Sequence, residues 1–181
     1  MRHHNSITRA RFRLYQILEK IPVDYKKNII NLLRGKEIII NENDIFNAIN
    51  SFLFLIPSAK NEKDVERKLE NFEDLKILMK KLKTKKHTQK ALNENLPAPA
   101  QLTIPDDVCH YDFNNPRVLT VREMARIQSF PDWFVFKSKT TTGGDARKYE
   151  VPQYTQVGNA VPPLLAYELG KLIKNTLNGL N

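Results

Sequence analysis

Few side chains in this 181-residue chain have both the type and the neighbours for covalent or acid–base chemistry. Its one cysteine, Cys109, sits in Val108-Cys109-His110-Tyr111. A thiolate at neutral pH needs nearby cations or a helix N-terminus, and neither accompanies it, so Cys109 reads as a partly buried, inert thiol. Asp106, Asp107 and His110 could exchange protons, but no nucleophile or metal partner stands beside them. His3 and His4 have no second His or Cys at ligand spacing and read as part of a mobile terminus.

The last third of the chain offers a binding site rather than a reacting group. Gln156-Val157-Gly158-Asn159-Ala160-Val161-Pro162-Pro163 reads as a turn feeding a helix. Gly158 can take positive φ there, and the two prolines suit a first helical turn. The N–H groups opening such a helix would face a carboxylate or phosphate. Leu165, Leu169, Leu172, Ile173, Thr176 and Leu177 then make one mainly apolar face.

Upstream, Thr120 and Glu123 have the S/T-x-x-E spacing of a capping box and predict a helix start. Val121, Met124, Ala125 and Gln128 follow at helical spacing, while Arg122 and Arg126 share another face. Pro131, in Phe130-Pro131-Asp132, is expected to end the helix. A polar loop with Thr140-Thr141-Thr142-Gly143-Gly144 separates the two blocks.

The wording of these blocks is similar to motifs IX and X of the DNA cytosine-5 methyltransferase family. Motif IX reads roughly R-x-L-T-x-R-E-x-A-R-L-Q-x-F-P-D, and Arg117 to Asp132 departs from it only at Ile127. Motif X reads roughly Q-x-G-N-x-V, matched from Gln156 to Val161. The resemblance covers about the last 65 to 95 residues. It implies that Thr120, Arg122, Glu123, Arg126 and Gln128 organise a target-recognition region. It further implies that Asn159, Ala160 and Val161 approach the methionine end of S-adenosylmethionine.

Enzymes of the family flip a cytosine out of the duplex, attack carbon 6 with a cysteine thiolate and methylate carbon 5. The Pro-Cys, Glu-Asn-Val and Phe-x-Gly-x-Gly motifs that serve this are absent here, and Cys109 follows Val108. The chain is therefore expected not to catalyse alone. The resemblance implies the second subunit of a split enzyme, a reading that its start at Met1 suits, or equally the tail of a gene interrupted by a frameshift. The partners implied are duplex DNA, a catalytic chain bearing motifs I to VIII, and a cognate restriction endonuclease in a restriction–modification system. A non-catalytic basic DNA-binding module is the alternative, and an RNA methyltransferase relative a third.

Composition agrees with a polyanionic partner without selecting one. Formal charge is +9 and pI about 9.6, and 41% of residues are hydrophobic, enough for a core. A single cysteine allows no intramolecular disulfide, and no apolar run reaches membrane-spanning length, which predicts a cytoplasmic protein.

The elements that must position the motifs read as mainly helical α+β, with the C-terminal segment completing a Rossmann-like methyltransferase domain. Helices are predicted over residues 6–20, with Ser6 as cap, 22–34, closed by Gly35, 43 or 44–56, and 64–83, with Ile38-Ile39-Ile40 as a strand or buried connector. Arg9, Arg11 and Arg13 stand among Phe12 and Tyr15, a pattern that could grip a nucleic-acid backbone but suits better a helix with its aromatics in the core. Seven lysines fall between Lys76 and Lys90 without one acid. Lys85 and Lys86 there, and Thr142, Gly143, Arg147 and Lys148 in the later loop, are candidate DNA-backbone contacts. Three regions follow: a helical target-recognition or extension region over 1–83, a basic, proline-containing linker with a short extended segment over 84–115, and motifs IX and X over 116–181.

Overall fold

The computed structural model describes residues 3–58, 64–84, 89–101, 103, 107–141, 145–146 and 149–179. They form seven helices and four short strands, in two compact units. One unit comprises residues 1–97 and 106–118, the other 98–105 and 119–181.

The first unit is built around α1 (Ser6–Leu18). Its N-cap is Asn5, not Ser6: the extended Asn5 accepts the Thr8 N–H on Oδ1 at 2.8 Å. The helix is enclosed over its second half, where every residue from Phe12 to Leu18 is buried. That leaves polar side chains to be satisfied inside. Arg13 donates to the Leu53 carbonyl at 2.9 Å, and to the Phe113 carbonyl and Glu66 at 2.7 Å. Gln16 donates to the carbonyls of His110 and Asp112, both at 2.7 Å. A polar residue on a helix wrapped on all sides is tolerated only with partners of this kind.

Helices α2 (Val23–Leu33) and α3 (Glu42–Asn47) pack on α4 (Phe72–Leu82), which in turn packs on α1. Gly35, at φ 70°, closes α2 as expected, its N–H donating to the Leu32 carbonyl while Lys36 N–H reaches Asn31. Ile38 to Ile40 form no strand; they run as a connector whose Ile39 N–H is taken by Asn28 Oδ1 at 2.7 Å.

Two predicted helices are shorter than expected. The one reaching Ile56 stops at Asn47, and Phe54–Ile56 is instead strand β1. The one starting at Asp64 starts at Phe72, and Val65–Arg67 is strand β2, antiparallel to β1 with Leu55 opposite Glu66. The continuous run Phe52 to Ile56 carries no period, so helix and strand were indistinguishable there. Within α4, Phe72, Leu75, Leu78, Met79 and Leu82 face inward, with Glu73 and Asp74 in the first turn and Lys80 and Lys81 in the last. Those charges complement the helix dipole.

The stretch expected as a linker contributes to the first unit's core. Strand β3 (Lys90–Ala91) pairs in parallel with β4 (Val108–Cys109), and Cys109 bridges to Val118.

The second unit holds α5 (Val121–Ile127), α6 (Gln153–Asn159) and α7 (Pro163–Asn178). Helices α5 and α6 pack together. No side chain of α7 is buried. No described helix is long and apolar enough to cross a membrane.

Candidate functional site

From Leu119 onward the motif IX residues belong to the second unit, and those of α5 face its interior or the turn that follows the helix. Thr120 and Glu123 form the reciprocal capping box. Glu123 N–H donates to Thr120 Oγ1 at 3.2 Å, and Thr120 N–H to Glu123 Oε2 at 2.7 Å. Met124, Ala125 and Gln128 are buried. On the other face, Arg122 donates to the carbonyls of Pro131 and Phe134, at 3.3 and 2.7 Å. Arg126 grips Asp132 with two parallel bonds of 2.8 Å. This contact holds the Asp132 carboxyl below its ordinary value. Both arginines thus lock the Phe130-Pro131-Asp132-Trp133-Phe134 turn, where Phe130, Phe134 and Phe136 cluster with ring centroids 4.9 to 5.1 Å apart.

Pro131 does not end α5. The helix stops at Ile127, and the chain turns at Ser129, which has φ 62°. A serine in the left-handed region is uncommon, so residue types alone do not announce this stop.

Motif IX and motif X meet at a buried bond. Gln128 Nε2 donates to the Val157 carbonyl at 3.0 Å, and Tyr154 OH donates to the Leu119 carbonyl at 2.6 Å. Gly158 lies inside α6 without positive φ, so the turn expected there is the end of a helix. Asn159 is the last residue of α6 and exposed, Ala160 is extended (φ −76°, ψ 142°), and Val161 is exposed. The structure therefore brings Asn159, Ala160 and Val161 together as one open, extended step between two helices. Among the described residues, the Asn159 carboxamide and the Val161 side chain both stand open to solvent, a pairing that could serve as one wall of a cofactor site.

The anion seat expected at the start of α7 is weaker than the sequence implies. Pro162 and Pro163 have no N–H, and Leu164 N–H donates to Ser129 Oγ at 3.1 Å. Few donors remain to point at a ligand.

Sequence reasoning missed Gln153, and gave Gln156 of motif X no role as a clamp of the loop base. Gln153 Nε2 donates to the carbonyls of Phe136 and Ser138, both at 3.0 Å, and Gln156 Nε2 to those of Lys137 and Val151, at 2.9 and 2.8 Å. Their spacing of three on one short helix was the available signal. Lys85, Lys86, Thr142, Gly143, Arg147 and Lys148 all lie outside the described residues. The arginines of α1 are directed to protein acceptors: Arg9 pairs with Asp64 at 2.7 Å and Arg11 donates to the Leu82 carbonyl at 3.0 Å. Cys109 is 1% exposed, with its Sγ 3.8 Å from the Phe12 carbonyl, and burial pushes its thiol pKa up. Among the described residues no cluster of His, Cys, Asp or Glu could hold a metal ion.

Comparison with known proteins agrees with the motif geometry. The family described as C-5 cytosine-specific DNA methylase matches residues 6–175. The type II methyltransferase M.AquIB of Picosynechococcus sp. is 38% identical over 104 residues, covering 55% of this chain and 72% of that protein. M.Bpa9945I of Bacillus paralicheniformis is 46% identical over 70 residues, 39% of this chain and 14% of that protein. M.MthTI of Methanothermobacter thermautotrophicus is 52% identical over 64 residues, 35% and 17% respectively. The chain thus spans about a seventh of M.Bpa9945I and nearly three quarters of M.AquIB. No solved structure matches it. With 170 residues inside the family match and both motif blocks joined through Gln128 and Val157, this chain belongs to the C-5 cytosine-specific DNA methylase family.

Proposed function

We propose that this chain is the recognition and motif IX/X portion of a DNA cytosine-5 methyltransferase, active when joined with a chain that carries the catalytic cysteine. Together they would transfer a methyl group from S-adenosylmethionine to carbon 5 of cytosine in duplex DNA, in a restriction–modification system. The observation that carries this reading is α7. Leu165, Leu169, Leu172, Ile173 and Leu177 are 48 to 63% exposed on a sixteen-residue amphipathic helix. A helix of that length draws most of its stability from a covered apolar face, so it calls for a partner surface.

The division of labour follows from the residues. Asn159, Ala160 and Val161 would hold one side of S-adenosylmethionine, which when bound supplies the methyl group. Arg122 and Arg126 keep the turn after α5 rigid, and Gln128 ties that turn to the cofactor-facing step. Cys109, buried in the first unit with a protonated thiol, takes no part in the attack on the ring. The nucleophile, the carboxylate and the glycine turn would come from the partner. The helical region over residues 1–83 is the proposed target-recognition region or extension, and the loop with Thr142, Gly143, Arg147 and Lys148, together with Lys85 and Lys86, the proposed contact to DNA phosphates.

The test is transfer of labelled methyl from S-adenosylmethionine to duplex DNA, by this chain alone and mixed with a Pro-Cys-bearing family chain encoded beside it. Activity only in the mixture is expected, with loss in Asn159→Ala while the complex still forms. No activity in the mixture, with salt-sensitive DNA binding by this chain alone, would replace the reading with a non-catalytic DNA-binding module.

A further inference from the structure

Helix α5 ends in a Schellman turn whose left-handed position is a serine. Ser129 N–H donates to the Arg126 carbonyl and Phe130 N–H to the Ala125 carbonyl, both at 2.9 Å, with Ser129 at φ 62°. Glycine meets that backbone requirement without steric cost, so the turn alone does not account for a serine. Its hydroxyl is engaged elsewhere. Ser129 Oγ accepts the Leu164 N–H at 3.1 Å, across 35 residues of sequence. Helix α7 needs this, because its own N-cap residue is Pro162, which supplies no capping side chain, and Pro163 has no N–H to offer. Since no side chain of α7 is buried, packing within the chain does not set the direction of the helix.

We propose that Ser129 is a positioning residue: its hydroxyl, aimed by the left-handed turn that ends motif IX, caps α7 and fixes the heading of that helix and of the Asn159–Val161 step before it. The consequence for the cofactor rests on the proposed function; the geometric claim does not.

The variants Ser129→Gly and Ser129→Asn separate hydroxyl from backbone. Glycine keeps the turn and removes the acceptor, whereas asparagine tolerates positive φ and restores an acceptor oxygen. Amide exchange and residual dipolar couplings on the full chain read the outcome without any partner. In S129G the Leu164 amide is expected to exchange roughly fivefold faster, the size of effect one ordinary hydrogen bond gives. The α7 couplings shrink relative to those of α5 and α6, Phe130 exchange stays unchanged, and S129N restores both readouts. Unchanged Leu164 exchange and α7 couplings in S129G would overturn the proposal. In an active pair, S129G is expected to raise KM for S-adenosylmethionine with kcat retained, and an unchanged KM would remove the link to the cofactor step. A wild-type pair without activity would count against the proposed function, while exchange and couplings still decide the role of Ser129.

Discussion

Gln128 donates its side-chain amide to the main-chain carbonyl of Val157 at 3.0 Å, inside the second unit, where Gln128 is 8% exposed. Val157 is also the residue whose carbonyl accepts the Ala160 N–H at 3.2 Å, closing α6. One buried oxygen therefore both ends the helix and receives motif IX, which couples α5 to the Asn159–Val161 step. The last residue of one motif's helical face thereby sets the geometry of the other.

Gln128→Ala should cost about 1 to 3 kcal/mol, from the lost bond and the space left beside a carbonyl that keeps one donor. Denaturant unfolding of the chain checks it. Gln128→Glu should be no better than alanine, because a carboxylate cannot donate to a carbonyl.

The thiol of Cys109 should be silent to alkylating reagents in the folded chain and react on unfolding. Burial raises its pKa above the ordinary 9.0, and burial likewise pushes Tyr15 up to about 12. The sign for stability follows: above pH 9 the unfolded thiol gives up its proton while the folded one keeps it, so folding weakens as pH rises. The stability gap between wild type and Cys109→Ala should shrink by about 1 kcal/mol per pH unit above pH 9, measured by urea unfolding at pH 8, 9 and 10.

How far the sequence reached depended on whether local chemistry or long-range pairing decided the outcome. The capping box at Thr120 and Glu123, the glycine stop at Gly35 and the prolines opening α7 are local, and the residue types alone specify them. The strands β1 and β2 are not: Phe54–Ile56 becomes a strand because Val65–Arg67 pairs with it, and neither segment alternates clearly. Ser129 and Gln128 were illegible for a related reason. A serine in a glycine position and a glutamine on an apolar face look like noise until their partners, Leu164 and Val157, are brought to them by the fold. The same holds for Arg13, whose acceptors Leu53 and Phe113 are 40 and 100 residues away.

Arg13→Met keeps the bulk of the buried stem but leaves the Leu53 and Phe113 carbonyls without this donor. A loss on the order of 3 kcal/mol is expected, since buried groups stripped of charged partners are costly to leave unpaired. Arg13→Lys should recover only part of it, because one ammonium cannot reproduce the fork that serves two carbonyls and Glu66. Thermal unfolding monitored by far-ultraviolet circular dichroism measures both.

The Arg126–Asp132 pair is exposed on both sides, so Asp132→Asn should change stability little at neutral pH. What it should change is the acid limb. The hydrogen bond and charge of Arg126 hold the Asp132 carboxyl below 3.8, so the pair's contribution is present above that value and is lost as pH falls through the folded one. Unfolding curves of wild type and Asp132→Asn should therefore run parallel from pH 7 to pH 5 and converge below pH 4. A gap that widened in acid would contradict the assignment of this partner.

Two charges on α7 give the sharpest separation of folding from assembly. Leu169 and Ile173 are 48 and 60% exposed and lie one turn apart on the leucine face. Replacing both with glutamate should leave the chain's own unfolding midpoint nearly unchanged, since exposed substitutions shift stability by about 0.5 kcal/mol or less. Burial of two carboxylates against an apolar partner surface, by contrast, costs several kcal/mol, enough to dissociate a complex of micromolar strength. Size-exclusion chromatography of the doubly substituted chain with the Pro-Cys-bearing chain should show separate peaks where wild type co-elutes. Co-elution of the variant would place the contact surface elsewhere and leave the exposed leucines unexplained.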